Sequence, residues 1–174
     1  MIIKPKVNVI VLVGLSGSGK SSLGLALSQE LNFSFIDIDE CIAQGQGKSI
    51  VQLFKEEGEA YFRQIEKELV LNLDLTSPTI LALGGGAWIQ EEIRDFLIPV
   101  ASIFYLETNV ESILQRLENN DSRPLLGDLG ARKEVLEQQL ETRKTLYAQS
   151  TITVDANAAI SEIVQEIIRK LQLD

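Results

Sequence analysis

Histidine is absent from this chain of 174 residues, which excludes imidazole proton transfer and histidine metal ligation. Cys41 is the only cysteine. No intrachain disulfide can form, which fits a reducing compartment. No apolar run has the length of a bilayer span. The opening residues, Met1 to Lys6, have neither a signal-peptide nor a transit layout, so a cytoplasmic location is expected. Positive charge is in deficit: 16 Lys and Arg stand against 25 Asp and Glu, a net charge of -9. Such a surface repels a phosphate backbone and an anionic leaflet, so neither a nucleic-acid nor a membrane partner is expected. A local cationic pocket remains possible, because Lys20, Arg63, Arg116, Arg123 and Arg143 all fall in motif-like segments.

The length suits one domain with a sizeable core. Val7 to Val13 is an almost unbroken β-branched run, as in a strand buried on both faces. Further strands are expected at Phe33 to Ile38, Thr79 to Leu83, Ser102 to Leu106 and Thr151 to Val154. Helical patterns lie between and after them. Leu23, Leu27 and Leu31 mark the buried face of the first, and Phe62, Ile65 and Leu69 that of a longer one from Glu59 to Leu71. Ser49 is placed to cap a helix through Phe54. The remaining helices are expected over Ile89 to Leu97, Val110 to Leu117, Arg132 to Tyr147 and Ala158 to Leu171. Residues 119–130 are polar and aperiodic, as in a loop. Strand and helix alternate five times, which predicts a single three-layer α/β domain over residues 1–174. The alternation does not reveal strand order.

Gly14-Leu15-Ser16-Gly17-Ser18-Gly19-Lys20-Ser21 matches the complete phosphate-loop motif between a strand and a helix. Its glycines let the backbone curl so that several N–H groups face one anion. The helix start adds its positive end. Lys20 can reach the β- and γ-phosphates, and the Ser21 hydroxyl can ligate Mg²⁺. The motif establishes nucleotide binding and leaves the reaction open. No Asn-Lys-x-Asp guanine-reading segment is present, which argues against a GTPase. The small size and the separate arginines favour a small-molecule kinase.

Asp37 and Asp39 end the second expected strand, at the edge where open α/β sheets bind ligands. In extended chain their i, i+2 spacing puts both carboxylates on one side, unless a turn redirects them. They are either simply solvated, or one orients magnesium through water while the other takes an acceptor hydroxyl's proton. Arg63, three residues before Glu66, can be fixed by an ion pair. Arg63 and Arg143 suit bidentate capture of a carboxylate, or are surface charges. Gly84-Gly85-Gly86 lets backbone approach a ligand, or makes a tight turn.

Together these residues resemble the shikimate kinase family, within the nucleoside-monophosphate-kinase-like group, over nearly the whole chain. The resemblance is carried by the phosphate loop, Asp37-Ile38-Asp39, Gly47-Lys48-Ser49-Ile50, Gly58-Glu59 with Phe62-Arg63 and Glu66, the triple glycine, Arg123-Pro124-Leu125-Leu126, and Arg143 with Tyr147. It implies a parallel sheet in the order 2-3-1-4-5, ATP and Mg²⁺ as partners, a monomer, and transfer to the 3-hydroxyl of shikimate in chorismate and aromatic amino acid biosynthesis. It also implies roles. Lys20, Asp39 and Arg123 are catalytic. Gly17, Ser18, Gly19, Lys20, Ser21, Ser22, Arg116 and Arg123 bind nucleotide, with Arg116 on the adenine side. Asp39, Arg63, Gly84, Gly85, Gly86 and Arg143 bind the acceptor. Ser21 and Asp37 serve the metal. An acceptor-binding region at about 38–68 and a lid at about 119–130 complete the expectation. The alternatives are a kinase for another hydroxylated acid such as gluconate, and a nucleotide-binding regulatory protein without catalysis.

Overall fold

The computed structural model describes residues 8–117, 132–149 and 152–173. The β-branched run forms β1 (Val9–Val13), buried along its whole length. The phosphate loop follows and opens α1 (Lys20–Leu31). Then come β2 (Ser34–Asp37), α2 (Ile38–Gln46), α3 (Ile50–Glu56) and α4 (Gly58–Leu71). Beyond them lie β3 (Thr79–Ala82), a 3₁₀ turn (Ala87–Ile89), α5 (Glu91–Leu97), β4 (Ser102–Glu107) and α6 (Val110–Leu117). The rest is α7 (Arg132–Tyr147), β5 (Ile152–Asp155) and α8 (Ile160–Leu173).

All four strand pairings are parallel, and the order is β2-β3-β1-β4-β5, as the family resemblance implied. Side-chain alternation along β1 divides the core. Val9, Val11 and Val13 face a cluster holding Phe62, Trp88, Ile113 and Leu136, under α4 to α7. Ile10 and Leu12 face the other way, toward Leu23 and Leu27 of α1 and Ile163 and Ile167 of α8. This is a three-layer sandwich.

Register decides what meets at the carboxyl edge. Leu12 pairs with Ala82, and Asp37 pairs with Ala82 from the other side. The triple glycine after β3 is thereby placed beside the loop after β1, with Asp37 flanking it. Helix α7 is held at both ends. At its start the buried Arg132 donates to Leu117 O at 3.1 Å. At its end Tyr147 is buried and stacks on Tyr105, ring centres 4.8 Å apart.

One local expectation is corrected. Asp37 ends β2, but Asp39 is not in extended chain: it sits in the first turn of α2. Asp37 caps that helix, its Oδ1 accepting from Glu40 N at 3.2 Å. The carboxylates therefore meet different partners: Asp37 Oδ2 accepts from the Ser21 hydroxyl, and Asp39 Oδ1 lies beside Gly84. The cap wins because an Asp before a helix satisfies an otherwise orphaned amide.

Candidate active site

The phosphate loop takes its shape from backbone that other residues rarely adopt, with φ of +83° at Gly17 and +96° at Gly19. Lys20 is buried at 8% exposure. Its ammonium donates to Gly14 O at 2.9 Å and Leu15 O at 2.7 Å, folded back onto the loop. The Ser21 hydroxyl donates to Asp37 Oδ2 at 2.5 Å. A hydroxyl and a carboxylate side by side are hard oxygen donors, which suit Mg²⁺ held mainly by phosphates and water. Among the described residues no group of three or more His, Cys, Asp or Glu is placed to hold a metal. Arg116, at the end of α6, donates to Ser18 O at 3.0 Å and to Ala156 O at 2.6 Å. It ties the loop after β5 to the phosphate loop.

The second half of the site is assembled from distant segments. A cavity of about 330 Å³ is lined by Ser16, Asp37, Asp39, Arg63, Gly84, Gly85, Gly86 and Arg143. Ile50, Val51, Phe54 and Phe62 form an apolar wall. Phe54 and Phe62 pack with ring centres 4.7 Å apart, and the Arg63 guanidinium lies 5.2 Å from the Phe62 ring centre.

The expected Arg63–Glu66 pair is present, at 2.6 Å, with Glu59 adding a second contact at 3.3 Å. Glu66 is completely buried. Its Oε2 accepts from both Arg63 and Gln90, the latter at 2.8 Å. Burial pushes its carboxyl up to about 7, with a smaller push from the Asp39 charge, against the downward pull of Arg63 and Gln90.

The triple glycine is a close-approach element rather than a plain turn. A Cβ on Gly84 would stand 2.6 Å from Glu66 Oε1 and 2.7 Å from Asp39 Oδ1. One on Gly85 would meet Ser16 N at 2.8 Å, and one on Gly86 would collide with the Arg63 guanidinium. Gly85 O accepts from Arg143 Nη1 at 3.1 Å and from Tyr147 Oη at 3.0 Å. Burial pushes the Tyr147 hydroxyl up, with Arg143 pulling the other way.

The sequence-selected Asp37, Asp39, Arg63, Gly84 to Gly86 and Arg143 thus share one cavity beside the phosphate loop. Arg116 does not line that cavity and donates to Ser18 O of the loop. Arg123 and the lid at about 119–130 lie outside the described residues. Glu59 and Ile50 entered the sequence reasoning only as family-motif residues without a role, and Gln90 and the wall positions Val51 and Phe54 were missed. Glu59, four residues before Arg63, was open to the helix-spacing argument. Gln90 carried no signal, because only the turn after β3 brings it to Glu66.

A family model described as shikimate kinase matches residues 16–172. The chain belongs to the shikimate kinase family. Among relatives, the shikimate kinase of Chlorobium luteolum is 35% identical over 173 residues, covering 95% of this chain and 86% of that one. The shikimate kinase of Chlorobium chlorochromatii is 37% identical over 173 residues, covering 95% and 91%. A shikimate kinase from Acinetobacter baumannii, solved in complex with shikimate, superposes with a TM-score of 0.91 at 32% identity, covering 97% of this chain and 94% of that one. A gluconokinase from Sinorhizobium meliloti, 19% identical with a TM-score of 0.59, shares the fold alone. The expected fold class, a P-loop kinase sheet in the order 2-3-1-4-5, is therefore borne out.

Proposed function

We propose that this member of the family transfers the γ-phosphoryl group of ATP to the 3-hydroxyl of shikimate, giving shikimate 3-phosphate and ADP. The observation that carries the reading is a single cavity that runs from Ser16 of the phosphate loop to two arginines, Arg63 and Arg143. A carboxylic acid held by those guanidiniums keeps its hydroxyls toward the triphosphate.

In this reading the loop amides from Gly17 to Ser22 cradle the phosphates. Lys20 leaves the carbonyls of Gly14 and Leu15 for the β- and γ-oxygens. Arg63 and Arg143 grip the carboxylate, and the amides of Gly84 to Gly86 line the acceptor's approach. Asp39 accepts a hydrogen bond from the reacting hydroxyl. The bond from the γ-phosphorus to the ADP oxygen breaks as the bond to the acceptor oxygen forms, and Asp39 takes the proton late. Positioning contributes more than basicity in such a loose transition state. Mg²⁺, held by Ser21 and by Asp37 through water, would neutralise charge on the phosphate oxygens. Arg116 would serve the adenine side, and Arg123 would meet the transferring group from a lid at about 119–130. Residues 38–68 would form the acceptor-binding region of one domain spanning 1–174.

The reading includes a cytoplasmic monomer free of nucleic acid and membrane. In support, no helix among the described residues is long and apolar enough to cross a membrane, and the net charge is -9. Mixing the purified chain with ATP, Mg²⁺ and shikimate should release ADP only when shikimate is present. Absence of shikimate-dependent release, or equal release with gluconate, rejects the assignment.

A further inference from the structure

We propose that acceptor binding takes up a proton at Glu66 Oε1, so that Glu66 sets the charge of the acceptor recess as well as anchoring Arg63. The inference rests on the reading that the acceptor is a carboxylic acid held by Arg63 and Arg143.

The two oxygens of Glu66 live in different surroundings. Oε2 is occupied by N–H donors from Arg63 and Gln90. Oε1 is buried, and among the described residues it has no hydrogen-bond partner. An orphaned buried carboxylate oxygen is costly, and protonation removes its charge and makes it a donor turned toward the same volume as Asp39 Oδ1. Oε1 and Asp39 Oδ1 also crowd the same face of Gly84, each within 2.7 Å of the point a Cβ would occupy there. Two carboxylates turned to one small volume resist joint ionisation. The groups facing Glu66 are Arg63 on its own helix, Asp39 from α2 and the neutral Gln90 from before α5. From the turn after β3, the uncharged Gly84 lies against it.

Among the described residues, Arg63 is therefore the cation that holds Glu66 ionised. An acceptor carboxylate competes for that guanidinium and adds a further negative charge to a recess already containing Asp39. Both effects raise the proton affinity of Glu66, whose carboxyl already sits at about 7 in the free site. Binding then carries a proton to Oε1, the oxygen with no donor of its own. By linkage, acceptor affinity is greatest where Glu66 is already protonated and weakens as pH rises above about 7, by at most about tenfold per pH unit.

The test is calorimetric titration of shikimate into the full chain at pH 7.5, in buffers of different ionisation enthalpy, with wild type and Glu66→Gln. Wild type should take up about half a proton or more per shikimate, and its Kd should rise between pH 6.5 and 8.5. Glu66→Gln should take up none, show a flat Kd, and bind at pH 8.5 at least as tightly as wild type. A role confined to anchoring Arg63 by charge predicts the reverse: weaker binding by the variant at every pH. Binding by wild type without proton uptake overturns the inference and needs no variant. Uptake that persists in Glu66→Gln overturns it as well, since the proton then goes elsewhere. Failure of wild type to bind shikimate at any pH instead overturns the functional reading, and this inference with it.

Discussion

The two halves of the site are built by opposite strategies. The phosphate-loop half comes from one contiguous stretch, Gly14 to Ser22, and its groups are mostly backbone amides whose directions follow from local φ and ψ. The acceptor half gathers side chains from α2, α4, the end of β3 and α7, over a hundred residues apart at the extremes. Local geometry is specified by residue type, so the first half is nearly complete once β1 and α1 form. The second exists only when the sheet register and the helix layer are both right. Among the described residues the halves meet at Ser21 on Asp37 and at Gly85 beside Ser16 N. Chemistry that needs both substrates in register draws on contacts of this kind.

The sharpest way to separate the halves is Asp39→Asn. Turnover should fall by about 10²–10⁴-fold, the range for loss of a positioned proton acceptor, while the ATP KM stays within about twofold. A parallel loss of ATP affinity would show that the halves are not separable. Next in size is Arg63→Ala, which removes a partly buried carboxylate contact. The acceptor KM should rise by the equivalent of roughly 2–5 kcal/mol, again with the ATP KM unmoved, and steady-state kinetics with each substrate varied checks it.

Glu66 permits a comparison in stability rather than rate. Its folded carboxyl stands near 7, above the ordinary value of 4.5, so the folded state holds the proton longer than the unfolded chain. Its contribution is most favourable below pH 4.5 and is lost as pH rises to 7, by up to roughly 3 kcal/mol. Urea unfolding of wild type and Glu66→Gln at pH 5 and pH 8 should therefore show the difference moving in favour of glutamine at the higher pH. The smallest effect belongs to Tyr147→Phe, which deletes one hydrogen bond to Gly85 O. About 1 kcal/mol is expected, read as a roughly fivefold rise in acceptor KM with no change for ATP.

The same division explains what could be read from sequence. Strand β1, the phosphate loop and α1 carry their signals within twenty-odd residues, and all were legible. So were Arg63 with Glu66, because helical spacing alone brings them together. Helix α2 was not expected, and for Asp39 only extended chain or a redirecting turn was weighed. The segment is rich in weak helix formers, and Gly45 lies within it. Yet Asp37 followed by Glu40 is an N-terminal helix signature, so the information was present. Gln90 reaching Glu66, and Arg132 reaching Leu117 O, were not legible at all. Both contacts join elements whose relative placement follows only from the finished three-layer packing. The family resemblance carried the strand order, which alternation alone left undetermined.

Helix α7 has a further consequence. Arg132 moors its first turn to α6, and Arg143 and Tyr147 moor its last turns to the triple glycine. A beam clamped at both ends makes a poor place to search for altered substrate range. The opposite wall is freer: Val51 is 37% exposed, and Ile50 and Phe54 are only partly covered. Laboratory evolution toward bulkier hydroxy acids would do best to randomise those three positions and leave the clamped helix untouched.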